Sequence, residues 1–308
     1  MFDNNPEEHY LKQGDPQKPT YYIIRHMSET ASLSEIYRLT AGHIWYALSK
    51  SWLPVVDMKN YPNLYLQPEK VGEENSWEYY FEQPLRIGLE QAYNGENIVL
   101  SDGYKVEPCP DYSPDLLERK DDRLTEWRML VKWGFLKIKT NLPDEIAGIR
   151  EELFLPKDKV LGVLLRGKIS SDQKIAGQPV PPSAEFALEI AESEFNEWKC
   201  NKIFLVTEDL AIAEMFKNKF AESFIHLDQL DVEYYNSDTL VEADHSEAED
   251  EFFLRGKKYL TQMMLLSVCN SLVAERCSDA TNAMLMAAKF ANTYFFNFGN
   301  YGTNNFDY

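Results

Sequence analysis

Short apolar blocks alternate along the chain with longer stretches in which apolar residues recur every third or fourth position, the patterns of buried strands and of helices with one buried face. In the first half, Tyr21–Arg25 reads as a strand, Ala31–Lys50 as a helix and Leu53–Met58 as the next strand, together a β-α-β unit. A polar, aromatic-rich stretch follows at 77–81, then a strand at Asn97–Ser101, a proline-containing loop around Pro108–Pro114, and helices at Pro114–Trp133 and Leu142–Leu153. The second half restarts with Val160–Leu165, a continuous apolar run of the kind a parallel strand shows when both its faces are covered. After it come helix Ser183–Trp198 with Ser183 as its cap, strand Ile203–Val206, helix Asp209–Phe220, strand Phe224–Leu227 and helix Lys257–Val268. Strand Ser271–Ala274, helix Asp279–Asn292 and an apolar segment Tyr294–Phe298 complete the chain. Strand alternating with helix predicts a parallel sheet covered by helices. The expected fold is therefore α/β, with two Rossmann-like, doubly wound domains, 1–155 and 156–308, joined near residues 153–159.

Composition narrows the partners. The 308 residues carry 31 Lys plus Arg against 50 Asp plus Glu, a net charge of −19, and no basic cluster is dense enough to hold a phosphate backbone, which excludes nucleic acid. No apolar run approaches the about 18 residues of a membrane span, and residues 1–8 are acidic and polar where a secretory signal would be basic and then apolar. A cytoplasmic protein is expected, or one peripheral to the inner membrane face. Cys109, Cys200, Cys269 and Cys277 lie far apart without zinc-like spacing, and His9, His26, His43, His226 and His245 form no metal motif. Residues 221–253 contain no Lys or Arg and end in a run of acids, which reads as a solvated loop; a carboxylate metal site is the alternative.

Ligands of open parallel sheets bind beyond the carboxyl ends of the strands, so the residues after each predicted strand are the candidates. These are Arg166-Gly167-Lys168, Thr207-Glu208-Asp209 and Glu275-Arg276-Cys277-Ser278-Asp279. Arg166, Lys168 and Arg276 gather cations at one edge of an acidic protein. Ser278-Asp279 at a helix start adds a hydroxyl and backbone N–H groups, and the combination suits a nucleotide diphosphate. The alternative is that these are loop charges paired with Glu208, Asp209 and Glu275. A glycine-rich dinucleotide fingerprint, a P-loop and a serine-hydrolase elbow are all missing from the sequence, which removes dehydrogenase, NTPase and hydrolase readings. His26, directly after the first strand, either lines a cleft or is structural.

Several ordered motifs resemble one family. Val160-Leu161-Gly162-Val163-Leu164-Leu165-Arg166-Gly167-Lys168-Ile169-Ser170 followed by Gly177-Gln178-Pro179-Val180-Pro181-Pro182-Ser183 is similar to V-L-G-V-L-V-R-G-T-D-Y and G-H-P-I-Q-P-S of the fucosyltransferase-like GT-B glycosyltransferases, in a bacterial surface-polysaccharide branch. Ile203–Asp209 resembles the branch's I-[FY]-L-A-T-E-D, Pro54–Tyr61 its P-V-V-D-M-x-N-Y, Asn75–Phe81 its N-x-W-E-Y-Y-F, and the terminal Phe298-Gly299-Asn300-Tyr301 matches too. The resemblance implies a GT-B-like pair of domains facing across a cleft, and inverting, metal-independent transfer of a sugar from a nucleotide sugar, GDP-fucose or a related GDP sugar, to a glycan or lipid-linked glycan. It needs no cofactor and no metal. It implies donor contacts from Arg166, Gly167, Lys168, Gln178, Thr207, Asp209, Gln262, Arg276, Ser278 and Asp279, with Arg166 on the diphosphate and Ser278 at the position of a donor-phosphate serine. Glu208, Asp57 and His26, in that order, are the candidate bases. The chain departs from the pattern at Lys168 and Ile169, which stand for Thr and Asp, at Gln178 for His, and at Ser28–Ser32, where the branch has glycines. Those departures keep open a second reading, a catalytically degenerate sugar-binding or assembly protein on the same fold.

Overall fold

The computed structural model describes residues 8–103, 108–118, 122–139, 141–167, 174–227 and 251–302. By internal contacts the chain divides into two units, Met1–Asp111 with Arg123–Glu145 and Ala248–Leu260, and Tyr112–Asp122 with Ile146–Glu247 and Thr261–Tyr308.

The first unit is built on β1 (His9–Lys12), β2 (Thr20–Arg25), α1 (Leu33–Ser49), β3 (Leu53–Asp57), α2 (Trp77–Tyr80), α3 (Leu89–Tyr93) and β4 (Asn97–Leu100). Its four-stranded sheet runs β1-β4-β2-β3, with β2 parallel to both neighbours and β1 antiparallel on the edge. Because strand side chains alternate between faces, Ile23 packs with Val55, Ile98 and Leu100 against Leu89 and Ala92 of α3. Tyr22, on the opposite face, bonds His43 Nδ1 of α1 at 2.9 Å. Helix α1 starts at Leu33 because the Ser32 hydroxyl accepts the Glu35 N–H. The sequence pattern does not signal β1, whose residues His9–Lys12 are all exposed and lack a buried alternation.

The aromatic-rich stretch at 77–81 is core. Trp77, Tyr80 and Phe81 are fully buried, and the Trp77 and Phe81 rings stack at 4.2 Å. Tyr80 lies flat on Phe253, with ring centroids 5.6 Å apart, and donates its hydroxyl to the carbonyls of Phe252 and Phe253. The single helix expected over Pro114–Trp133 is two, α4 (Pro114–Leu117) and α5 (Arg123–Lys132). The run from Glu118 to Arg123 has no apolar side chain with which a joining turn could be buried.

The second unit follows α6 (Asn141–Leu153), a helix that begins in the first. It holds β5 (Val160–Leu165), α7 (Ala184–Glu197), β6 (Lys202–Thr207), α8 (Leu210–Phe220), β7 (Phe224–Ile225), the later part of α9 (Glu251–Ser267), β8 (Ser271–Glu275), α10 (Ser278–Met286) and β9 (Asn292–Phe296). All five strands are parallel, in the order β7-β6-β5-β8-β9. Leu161, Val163 and Leu165 face Ala187 and Ala191 of α7 and Ile212 and Phe216 of α8. On the other face, Gly162 lies so close to α9 that an added Cβ would stand 2.7 Å from Leu266 Cδ1. Helix α9 starts at Glu251, before the expected Lys257, and α10 stops at Met286, before the expected Asn292. Among the described residues no helix is long and apolar enough to cross a membrane.

Candidate functional site

In the second sheet β5 comes first in the chain. The path then moves outward to β6 and β7 before returning to add β8 and β9 on the other side. The strand order therefore reverses between β5 and β8, and the crevice beyond their carboxyl ends is where such sheets take ligands. Arg166 and Gly167 leave β5 at this point, while β8 ends in Glu275 and passes through Arg276 and Cys277 into α10. The Arg166 backbone N–H donates to Glu275 Oε1 at 3.0 Å, tying the two strand ends together.

Gly167 is required by packing, since a Cβ there would stand 2.8 Å from Asp209 Cβ. Asp209 in turn caps α8, accepting the Ala211 and Ile212 N–H groups at 2.9 and 3.4 Å, and its own N–H donates to Thr207 Oγ1 at 3.2 Å. Glu208 between them is exposed. Cys277 precedes α10 without acting as a regular side-chain cap, and Ser278 and Asp279 open the helix, with Asp279 and Cys277 close enough to Arg166 to act on its charge. The half-buried Arg166 guanidinium has no hydrogen bond or ion pair among the described residues. Burial works against its charge, but Cys277, Asp279, Glu208 and Glu275 outweigh that and raise its pKa. This corner thus assembles Arg166, Gly167, Thr207, Glu208, Asp209, Ser278 and Asp279.

Glu275, read from the sequence only as an ion-pair partner, belongs to the same corner. The residue is 6% exposed, and burial pushes its pKa up to about 8, with Glu208 and Asp279 adding to the rise and Arg166 opposing it. Its place as the last residue of a buried strand at the reversal point was the available signal.

Arg276 and Gln178 meet elsewhere in this unit. Arg276 Nη2 donates to the Gly299 carbonyl at 3.0 Å and to Asn300 Oδ1 at 2.9 Å. Gln178 accepts the Tyr301 N–H at 2.8 Å, and Pro179 bridges Asn300. The terminal Phe298–Tyr301 motif is thus a clasp over the 177–180 loop, and Arg276 is spent holding it. Gln262 lies half-buried on α9, with no hydrogen bond to the strand-end groups among the described residues. Lys168 and Ile169, and most of the acidic stretch, lie outside the described residues.

The other two candidate bases belong to the first unit. Asp57, at the end of β3, is fully buried. Its Oδ1 accepts the Lys59 and Asn60 N–H groups at 2.9 and 3.2 Å, and its Oδ2 accepts Asn60 Nδ2 at 2.8 Å and the Tyr93 hydroxyl at 2.7 Å. With four donors on two oxygens, it organises the turn after β3. The His26 backbone N–H donates to the Asp57 carbonyl at 3.2 Å, and its Nε2 lies 2.7 Å from Thr40 Oγ1. Burial lowers its pKa to about 4, so the ring is neutral at pH 7. Among the described residues no group of three His, Cys, Asp or Glu side chains gathers as a metal site.

No protein-family model matches the sequence, and neither does any curated protein. Solved structures do match over most of the chain. Fucosyltransferase NodZ from Bradyrhizobium is 16% identical with a TM-score of 0.50, the match covering 87% of this chain and 93% of that one. NodZ alpha-1,6-fucosyltransferase soaked with GDP-fucose gives 16% and 0.51 over the same shares. POFUT1 in complex with GDP-fucose gives 9% and 0.50, covering 92% of this chain and 99% of that one. Identities this low establish a shared architecture rather than a shared substrate. Two α/β units, each on a mainly parallel sheet, matched nearly end to end by these enzymes, give the chain the fucosyltransferase-like GT-B fold.

Proposed function

We propose that the protein is an inverting, metal-independent glycosyltransferase that moves a sugar from a GDP-sugar donor, GDP-fucose or a close relative, onto a glycan or lipid-linked glycan during surface-polysaccharide synthesis at the cytoplasmic side. The observation that carries this reading is the half-buried Arg166 guanidinium beside the uncapped start of α10, at the strand-order reversal of the second sheet. An arginine near the start of a helix, both at strand ends where the sheet order reverses, is an arrangement that suits a diphosphate. The matched structures include NodZ soaked with GDP-fucose and POFUT1 in complex with GDP-fucose, which agrees with that choice of ligand.

In such a transfer the anomeric carbon passes through an oxocarbenium-like state while the departing diphosphate gains charge. Arg166, the Ser278 hydroxyl and the α10 N-terminus would hold that charge in place as it grows. The acceptor hydroxyl must lose a proton to a carboxylate or imidazole within reach. Glu208 is the exposed member of the three candidates, whereas Asp57 already accepts four hydrogen bonds, so Glu208 takes the role here.

One observation favours the degenerate reading. Glu208, Glu275 and Asp279 crowd a single described arginine, an unusual surrounding for a ligand bearing two phosphates. Binding and turnover separate the two. A thermal-shift screen of GDP, GDP-fucose, other GDP sugars and UDP sugars should raise Tm for guanine nucleotides only, since ligand at 100 times Kd adds about 2.7 kcal/mol. No shift with any GDP compound overturns the donor assignment. A shift without transfer to any glycan acceptor points to the binding protein.

A further inference from the structure

The diphosphate reading leaves an electrostatic conflict at the corner where β5, β6, β8 and α10 meet, and its resolution names a further donor-binding residue. Facing Glu275 are Arg166 from the β5 end, Glu208 from the β6 end, and Cys277 and Asp279 around the α10 start; the neighbouring Arg276 is turned onto Gly299 and Asn300. If every carboxyl here were ionised, one guanidinium would face three negative charges, and an incoming diphosphate would be repelled. Glu208 is exposed and can keep its charge in water, but Glu275 is buried and cannot. Its Oε1 already accepts the Arg166 N–H at 3.0 Å, so a proton on this carboxyl would sit on Oε2.

We propose that Glu275 is a donor-binding residue in its neutral form: its Oε2–H donates a hydrogen bond to the donor phosphate, and the donor binds the ionised form only together with a proton from solvent. This rests on the reading of the corner as a diphosphate site. The proton balance is simple. When Glu275 starts ionised, one proton enters with the nucleotide and leaves with it. The raised pKa of about 8 means that near pH 7 the residue is already neutral, so the coupling shows itself on the alkaline side.

The test is calorimetric titration of the full chain with GDP between pH 6 and 9.5, in buffers of different ionisation enthalpy, for wild type, Glu275→Gln and Glu275→Asp. Glu275→Gln keeps a neutral donor of the same shape, so any pH dependence it retains belongs to the nucleotide itself. The expected result is that wild-type affinity falls about tenfold between pH 7 and 9 relative to Glu275→Gln, with wild type taking up more protons on binding than Glu275→Gln does on the alkaline side. Glu275→Gln should bind at pH 9 at least as tightly as wild type does at pH 7. Equal pH profiles for the two proteins, with GDP bound by both, overturn the role of Glu275 and leave the diphosphate site standing. Absence of GDP binding by wild type at every pH overturns both. If Glu275→Gln fails to fold, Glu275→Asp and the wild-type proton uptake decide: uptake of no protons near pH 9 sinks the proposal.

Discussion

Replacing Arg166 by alanine should remove most of the grip on the leaving diphosphate. The side chain is half-buried at the strand-order reversal, and no ion pair among the described residues competes for it. A hydrogen bond to a charged group contributes ~1.5–3 kcal/mol, and losing a donor aimed at charge that develops during reaction costs ~2.7–4 kcal/mol. A guanidinium that is partly screened by solvent, yet offers two N–H groups to one phosphate, falls across these ranges, at ~2–4 kcal/mol of transition-state stabilisation. At 1.36 kcal/mol per decade this is a loss of about 30- to 1000-fold in kcat/KM. The variant should still fold, because Glu275 stays neutral when its cation is removed and no unpaired charge is left buried. Arg166→Lys should fall between the two proteins, since it keeps the charge and gives up the planar fork. The assay is transfer from GDP-fucose, or from whichever GDP sugar the thermal-shift screen selects, together with GDP affinity. A loss confined to KM would mean that donor and transition state are held equally, and a loss in kcat that the arginine acts on the departing phosphate. Turnover and GDP affinity within threefold of wild type, in a protein with an unchanged circular-dichroism spectrum, would refute the assignment.

Transfer should survive EDTA, because charge on the leaving group is assigned to Arg166 and the α10 start; activity abolished by chelation and restored by Mg²⁺ or Mn²⁺ would show that carboxylates hold a metal here. Lys168→Thr combined with Ile169→Asp restores the residue types of the resembled branch and makes the loop more negative by two charges; the expected outcome is a donor profile moved toward GDP-fucose, and an unchanged profile across GDP sugars marks both differences as neutral. Gly256→Ala on α9 should lower Tm, because the added Cβ would stand 2.3 Å from Tyr80 Cζ, and overpacking at ~1–3 kcal/mol exceeds the ~1 kcal/mol that alanine gains in a helix; an unchanged or raised Tm contradicts this. Glu275 should make wild type lose stability as pH rises from about 4.5 to about 8, since over that range the folded chain still holds a proton that the unfolded chain has released. Denaturant unfolding at pH 5, 7 and 9 checks it, with Glu275→Gln expected to lack that loss.

Most of the fold was legible because the second half is a parallel sheet covered on both sides. Such strands must be apolar on every residue, and Val160–Leu165 is continuous and bounded by charge, so its observed limits agree with the pattern residue for residue. A helix start marked by a short polar cap was legible for the same kind of reason at Ser183, whose hydroxyl accepts the Phe186 N–H, while Asp209, read as the first residue of its helix, is the cap one position before it. Where a pattern failed, burial differed from what polarity suggested. His9–Lys12 forms a strand by pairing its backbone with β4, on an exposed edge where no side chain is buried and no apolar signature is left. Trp77–Phe81 reads as a polar stretch because Glu78 and the tyrosine hydroxyls break the pattern, yet each hydroxyl finds a partner and Trp77, Tyr80 and Phe81 pack inside.

The site was half legible, and the division follows from what a strand-end rule can and cannot decide. The rule selects which residues leave the carboxyl ends of strands, and it placed Arg166, Gly167, Glu208, Asp209, Ser278 and Asp279 in one corner. It cannot say which way a side chain turns after the strand ends. Arg166 and Arg276 are equivalent by that rule, but one is left without a pairing among the described residues and the other is bound by Gly299 and Asn300 to close the terminal clasp. Nor can it assign protonation. Glu275 reads as a charge in the sequence, because every glutamate does, and becomes a neutral acid only where burial and the like charges of Glu208 and Asp279 act together. The same three carboxyls that argue for a degenerate site when all are ionised are compatible with a phosphate ligand when the innermost carries a proton. Whether this corner is a worn-out donor site or a proton-linked one is therefore a question about one hydrogen atom at Glu275.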